Sequence, residues 1–256
     1  MIDNRADISP SARIADGVTI SPWAIIGPDV EIDEGTWIGP HVVIKGPTKI
    51  GRGNKIFQFS SIGEDPQDKK YNNERTYLEI GDNNVIREFC TINRGTIQDG
   101  GITRIGNNNL LMAYVHVAHD CIIHNHTVFA NNASLAGHVI VHDHVILSGF
   151  AGIHQFCVLG EHSFVAKATI VSKDVLPYTL VSGHDAKACG LNSVGLRRRG
   201  FSSETIHLLK RAYKIIYRNG LTVAQALEQL APLAELSQEI KHLYDALASS
   251  IRGIVR

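Results

Sequence analysis

The sequence predicts a mainly β protein, a parallel β-helix of hexapeptide repeats followed by an α-helical region, and three observations carry that prediction. An aliphatic residue recurs at every sixth position, two polar segments interrupt the recurrence, and past Arg199-Gly200 the period becomes helical. Isoleucine stands at Ile8, Ile14, Ile20, Ile26, Ile32, Ile38, Ile44, Ile50, Ile56 and Ile62 without a miss. A period of six is neither the 3.6 of an amphipathic helix nor the alternation of a half-buried strand. It is the period of a unit made of one short strand and one turn.

The rung continues as Ile80, Ile86 and Ile92 and, after a slip of one residue, as Ile105, Leu111, Val117, Ile123, Phe129, Leu135, Val141, Leu147, Ile153, Leu159, Val165 and Val171. If three hexapeptides close one triangular coil, each inward residue sits on its counterpart eighteen residues away. About eight such coils, stacked at the ~4.8 Å spacing of paired strands, form a prism roughly 40 Å long around a continuous aliphatic column.

The first interruption lies between Ile62 and Ile80. The phase survives it, but Asp68 and Glu74 fall where inward rungs belong. Burying two unpaired carboxylates costs several kcal/mol, so residues near 63–79 are expected to leave the coil as a loop. Its polar run from Glu64 to Asn73 suits binding from a rigid scaffold. The second interruption, near 93–104, contains Gly95, Gly100 and Gly101, shifts the phase by one, and is expected to protrude as well. Past Val171 the repeat is expected to fail at Pro177, placing a β-helix domain at 1–190 and a helical domain at 191–256. In the latter, Ile206, Leu209, Tyr213, Ile216 and Tyr217 recur at helical spacing and Thr222-Val223-Ala224-Gln225 has the form of a capping box. Gly220 and Pro232 are expected to divide it into about three helices that cap the last coil edge.

Composition narrows the function. With 44% hydrophobic residues, 20% charged and a formal net charge of zero, the chain has no basic excess to hold nucleic acid. The opening Met1-Ile2-Asp3-Asn4-Arg5 lacks a signal-peptide layout and no apolar run approaches membrane-spanning length, so a cytoplasmic protein is expected. Cys90, Cys121, Cys157 and Cys189 form no CxxC pair and are expected to be buried free thiols.

Histidine is the remaining anomaly: nine of the thirteen lie between His116 and His162. On an eighteen-residue coil His119, Gly137 and Gln155 share one column, each two residues past an inward rung and so facing outward. An imidazole one coil from a glycine peptide suits acyl transfer, in which a base takes a hydroxyl proton and a backbone N–H meets the oxyanion at the attacked carbonyl. Asp120 follows directly and could orient the ring. The same projection stacks His126, His144 and His162; a solvated polar ladder is the expected reading, with metal binding the weaker one. A metal-dependent hydratase on this coil would need a third histidine near position 83 to join His119 and His124, and that position is Asn83. A catalytically silent scaffold is the third class.

The hexapeptide pattern is similar to that of left-handed parallel β-helix acyltransferases, from which the handedness is carried over. Ordered motifs narrow the likeness. Gln58-Phe59-Ser60-Ser61-Ile62-Gly63-Glu64, Asn109-Leu110-Leu111-Met112, His116-Val117-Ala118-His119-Asp120-Cys121, Ala130-Asn131-Asn132-Ala133, Leu135-Ala136-Gly137-His138-Val139, His154-Gln155-Phe156-Cys157 and Arg198-Arg199-Gly200-Phe201 together resemble the UDP-N-acetylglucosamine 3-O-acyltransferases, which open lipid A synthesis. The resemblance covers nearly the whole chain. The related N-acyltransferases begin with a separate uridine-binding domain, for which rungs starting at Ile8 leave no room.

The resemblance implies transfer of an (R)-3-hydroxyacyl group from acyl carrier protein to the 3-hydroxyl of UDP-N-acetylglucosamine, with no cofactor beyond the donor's phosphopantetheine and no metal. His119 is then the general base, Asp120 its orienting partner and Gly137 N–H the oxyanion contact. His116, His138, His154 and Gln155 match positions lining the sugar and acyl pocket. Asp68 and Lys70 match a loop reaching the nucleotide sugar, and Asn192, Arg198 and Arg199 match positions near the uridine, phosphates or phosphopantetheine. Family members are homotrimers with sites between prisms. Carrier protein is acidic, and Arg197, Arg198, Arg199, Lys210, Arg211, Lys214 and Arg218 form the densest basic cluster available to receive it. Relatives measure acyl length in the stretch matching Phe164 to Thr169, where this chain carries Lys167 rather than a small residue.

Overall fold

The structure is a computed structural model describing residues 1–256. Short strands of two to five residues, all parallel except the last, form three sheets of nine, eight and ten strands that face one another as the sides of a left-handed triangular prism. The register is the one the period dictates. Asp7 and Ile8 pair with Ile25 and Ile26, and those with Val43 and Ile44, each eighteen residues on.

The hexapeptide closes a corner for two reasons. Two residues before each rung a second inward side chain sits in the angle of the prism, and it is mostly a small one: Val18, Ala24, Val42, Ala133, Ala151 and three cysteines, Cys90, Cys121 and Cys157, occupy it. Three residues after most rungs the backbone turns left-handed, as at Asp29, Phe59, Asp120, His138, Phe156 and His162. Where the angle takes polar residues, they form a buried ladder. Asn84 N donates to Asn54 Oδ1 at 2.9 Å, Asn109 N to Asn84 Oδ1 at 2.9 Å and Thr127 N to Asn109 Oδ1 at 2.8 Å.

Cysteine placement explains cysteine chemistry. Burial pushes the Cys121 thiol up to about 12 and those of Cys90 and Cys157 up to about 11, so all three are inert. Cys189 departs from the expectation of four buried thiols. It lies exposed on the last strand, Lys187–Leu191.

Both interruptions leave the coil, but less than expected. Strand pairing resumes at Tyr77–Ile80, which joins both neighbouring strands, so only the middle of the 63–79 segment is loop. The second insertion does not simply protrude. Asn93, Arg94 and Thr96 are buried, and only a short 3₁₀ turn at Ile97–Asp99 and the glycines after it reach the surface.

The coil also runs past Pro177. Leu180 and Val181 pair in parallel with Phe164 and Val165, sixteen residues earlier, so one tighter turn adds a further rung before the antiparallel strand Lys187–Leu191. Four helices follow: α1 Ser193–Arg198, α2 Ser203–Tyr217, α3 Val223–Ala234 and α4 Gln238–Ser249. The capping box at Thr222 and Gln225 is formed as the sequence requires. Pro232 does not end a helix; it lies within the last turn of α3, where Leu230 and Leu233 hold the helix by burial, and the break comes at Leu236-Ser237, with the Ser237 side chain capping α4. Leu176 and Tyr178 of the prism share one apolar cluster with Ile206, Leu209, Ile216, Leu230, Ile240 and Leu243, so the helices cover the end of the coil.

Candidate active site

The site forms where one corner of the prism meets the second insertion. His119 and Asp120 round that corner one coil below Gly137 and His138, and His138 N donates to His119 O at 3.1 Å. One coil further on, Phe156 N donates to Gly137 O at 3.1 Å, so the column of 119, 137 and 155 exists as projected.

His119 does not stand free in solvent; its side chain is 12% exposed. Its ring lies directly over the Gly137 backbone. A Cβ at Gly137 would come 2.6 Å from His119 Cε1 and 2.9 Å from Nε2, so only glycine lets the imidazole approach. The Gly137 N–H makes no hydrogen bond within the chain and remains a donor for a bound oxygen.

Asp120 is almost wholly buried and satisfied on all sides. Its Oδ1 accepts Thr96 N at 2.7 Å, and its Oδ2 accepts Thr96 Oγ1 at 2.6 Å and faces His119 Nδ1 at 2.8 Å. Asp120 N donates to Thr103 Oγ1 at 2.8 Å, which helps hold the left-handed turn. Burial pushes the carboxyl upward, yet the hydrogen bonds from His119 and Thr96 outweigh it and leave the group below the ordinary carboxylate range. Asp120 is therefore an anion, His119 donates its Nδ1–H to it, and Nε2 keeps its lone pair.

Two further histidines frame His119. His138 stands edge-on to the His119 ring with centroids 5.1 Å apart, stacks on Phe156 at 4.4 Å, and directs Nδ1 to Asp99 Oδ2 at 2.8 Å. His116 Nδ1 meets Thr91 Oγ1 at 2.7 Å; burial, with the His119 imidazole nearby, holds its ring below its usual value and so neutral. His119, Asp120 and His138 bring ligand-type atoms within 4.8 Å of one another. Both Nδ1 atoms are already directed to carboxylates, however, and Oδ2 of Asp120 already takes two partners.

A profile described as "Udp N-acetylglucosamine O-acyltransferase; Domain 2" matches residues 174–255, and one described as "Bacterial transferase hexapeptide (six repeats)" matches 11–46 and 102–137. An acyl-[acyl-carrier-protein]–UDP-N-acetylglucosamine O-acyltransferase of Thiobacillus denitrificans is 56% identical over 97% of this chain and 96% of its own. One of Stutzerimonas stutzeri is 56% identical over 100% and 99%. The chain belongs to this acyltransferase family. Crystal structures agree: the UDP-N-acetylglucosamine O-acyltransferase of Moraxella catarrhalis superposes with a TM-score of 0.98 at 50% identity, covering 100% of this chain and 99% of that one. The Francisella novicida enzyme gives 0.98 at 43%, covering 100% and 94%.

The remaining family positions are scattered. Asp68 and Lys70 lie in the first insertion, where Lys70 N donates to Asp68 Oδ1 at 2.9 Å. His154 and Gln155 are exposed above Gly137 in the column. Asn192 is buried and its carboxamide is engaged, for it caps α1 through Gly195 N at 3.1 Å and donates to His162 O at 3.0 Å. Arg198 is exposed, whereas Arg199 is half-buried and donates to His144 O at 3.3 Å. Phe164 is half-buried on the ten-stranded sheet, and Lys167 is exposed at the next corner.

The column of His126, His144 and His162 is a stack that runs from the exposed His126 to the half-buried His144 and His162. Its rings stack face to face, with centroids 4.9 and 4.6 Å apart and planes within 17°. Imidazole lone pairs lie in the ring plane, so stacked rings aim their nitrogens in parallel and do not converge on one ion.

Sequence reasoning missed Thr96, Asp99 and Thr103. The signal available was that the second insertion adjoins the histidine-rich run. Nothing in a six-residue period reports how an insertion folds back.

Proposed function

We propose that this chain transfers an (R)-3-hydroxyacyl group from acyl carrier protein to the 3-hydroxyl of UDP-N-acetylglucosamine, the first step of lipid A biosynthesis. The observation that carries the mechanism is the His119 imidazole, held by an anionic Asp120 and lying over an unpaired Gly137 N–H. Nε2 takes the proton of the sugar hydroxyl as its oxygen attacks the thioester carbonyl. The tetrahedral oxyanion then meets the Gly137 N–H, and its collapse breaks the carbon–sulfur bond. The imidazolium, stabilised by Asp120, returns its proton to the phosphopantetheine sulfur. Asp68, Lys70, His116, His138, His154 and Gln155 bind the acceptor and the acyl head, with Asn192, Arg198 and Arg199 around the nucleotide and phosphopantetheine. Engagement of the Asn192 side chain within the chain leaves its contact with ligand to the backbone or to a rearranged cap.

The site is open at the surface of one prism, and assembly of three prisms would close it. Support for a homotrimer comes from another corner, where Trp23, His41, Phe59, Phe89 and Tyr114 stack in one ladder with centroids 4.9 to 5.2 Å apart. Trp23 there is 52% exposed and Tyr114 53%, a run of aromatic surface that invites a partner. Carrier protein docks on Arg197, Arg198, Lys210, Arg211, Lys214 and Arg218, which are exposed and form no ion pair. No helix is long and apolar enough to cross a membrane, and a cytoplasmic location suits two water-soluble substrates.

The test is direct. Purified protein given UDP-N-acetylglucosamine and a series of 3-hydroxyacyl carrier proteins forms the 3-O-acyl product without added metal; failure with every chain length overturns the reading. Running the 3-amino sugar nucleotide in parallel shows which nucleophile the base serves. Lys167 and Phe164 set the acyl length, the exposed Lys167 stem lining the groove while its ammonium stays in water. Lys167→Gly moves the donor preference toward longer chains, each added methylene contributing at most about 0.8 kcal/mol. A donor profile that overlays the wild type removes Lys167 from that role.

A further inference from the structure

The second insertion touches both halves of this reaction. Arg94 is buried beneath the first insertion, its side chain only 7% exposed. Its Nη1 donates to Gly63 O at 2.5 Å, and its Nη2 pairs with the Asp65 carboxylate and donates to Tyr71 OH at 3.2 Å. Asn93 Nδ2 donates to Asp65 O at 2.7 Å. The first loop is thus gripped on either side of Asp68 and Lys70. The Arg94 Nε–H is buried without a partner, which makes a guanidinium here a cost to stability that its grip on the loop must offset.

Two residues further on, the same segment turns to the base. Thr96 donates from its backbone to Oδ1 of Asp120 and from its hydroxyl to Oδ2, so one residue fixes the plane of the carboxylate and presents Oδ2 to His119. Asp99 then reaches His138.

We propose that residues 93–99 are a bracket holding the acceptor loop and the base in one register, with Arg94 a positioning residue for Asp68 and Lys70, and Thr96 a positioning residue for Asp120. This rests on the assignment of His119 as base and of Asp68 and Lys70 as acceptor contacts. Neither Arg94 nor Thr96 touches the reacting atoms. Arg94 acts on the affinity for the sugar nucleotide, and Thr96 acts on the orientation and basicity of the His119–Asp120 pair.

The test uses Thr96→Val, which keeps the backbone donor and the shape, and Arg94→Lys, which keeps the charge but not the forked contact, each assayed beside the wild type. Thr96→Val lowers kcat about tenfold, the scale of one hydrogen bond to a charged group, with both KM values within about twofold. It also moves the acid limb of the pH profile upward, because a carboxylate relieved of the hydroxyl accepts more strongly from the imidazolium; Thr96→Ser restores both. Arg94→Lys raises KM for UDP-N-acetylglucosamine about tenfold, leaving kcat and the donor KM within about twofold. Melting curves establish that each variant is folded, and Thr96→Ala gives the same readout if valine is not accommodated. With an active wild type, a loss of kcat with no movement of the pH limb or of the acceptor KM overturns the bracket alone, as does wild-type behaviour in both variants. An inactive wild type overturns the function and the bracket together.

Discussion

Two corners of this prism carry histidines on successive coils, nineteen residues apart at one and eighteen at the other, and they have become different materials. At one, His119 and His138 each direct a nitrogen to a carboxylate, Asp120 and Asp99 respectively. At the other, His126, His144 and His162 stack on one another and on Tyr178, and none of the three side chains is hydrogen-bonded. Burial first, with the nearby Arg199 charge, pushes His144 down and His162 down to about 4, so this corner holds those two imidazoles neutral and uses them as flat rings. The backbone turn is the same left-handed one at both. What separates them is the insertion at 93–104, which brings Thr96 and Asp99 to one corner only. A histidine column does not by itself orient an imidazole for proton transfer on this coil; a carboxylate partner does.

That contrast breaks if the base can be removed without consequence. His119→Ala is expected to lower turnover about a hundredfold or more, the scale of losing a general base, while His126→Ala leaves turnover within about twofold. Near-normal turnover in folded His119→Ala refutes the assignment. Asp120→Ala costs less turnover, because the base remains. It costs more stability, about 1–3 kcal/mol, since Thr96 N, Thr96 Oγ1 and the His119 ring lose a buried acceptor. Denaturant melts set beside single-turnover rates separate the two effects, and Asp120→Ala melting with the wild type would show that its carboxylate is not the anchor described.

Gly137→Ala comes next. Its added methyl would stand 2.6 Å from His119 Cε1, and the neighbour that must shift is the ring of the proposed base. Turnover is expected to fall about tenfold to a hundredfold with the melting temperature nearly unchanged, because misplacement by about 1 Å is enough to cost that much. Unaltered turnover would mean that the imidazole leaves Gly137 when substrate binds. Gly149→Ala, whose methyl would meet nothing closer than 3.4 Å, is the matched control.

The period made the strand register legible, and with it the column that puts His119 over Gly137, because each rung's depth in the prism follows from its index. Adjacency made Asp120 a candidate partner. Thr96, Asp99 and Arg94 were illegible, since their contacts depend on the path of an insertion that has no repeat. The same limit hid the last rung: Phe164 and Val165 pair with Leu180 and Val181 across sixteen residues, so a count of six loses a strand that the core retains. Pro232 misled for another reason, because burial of Leu230 and Leu233 outweighs a local preference at the end of α3.

The smallest expected effect concerns the stacked corner alone. His162 titrates near the ordinary histidine value when unfolded and at about 4 when folded, so the unfolded chain binds a proton that the folded chain refuses. Stability from this group is complete above about pH 6.5 and is lost as pH falls from there toward 4. Partial exposure and solvent screening keep the magnitude modest. His162→Phe preserves a flat ring between His144 and Tyr178 but cannot take the proton. Between pH 7 and pH 5 the variant should therefore lose less melting temperature than the wild type, by about 3 °C, which is what roughly 1 kcal/mol moves a chain of this size. Its turnover should be unchanged at pH 7. Parallel melting curves in which both proteins lose the same amount would mean that His162 is protonated in the folded stack, and the distinction between a corner of neutral rings and a corner of paired imidazoles would fail where it was drawn.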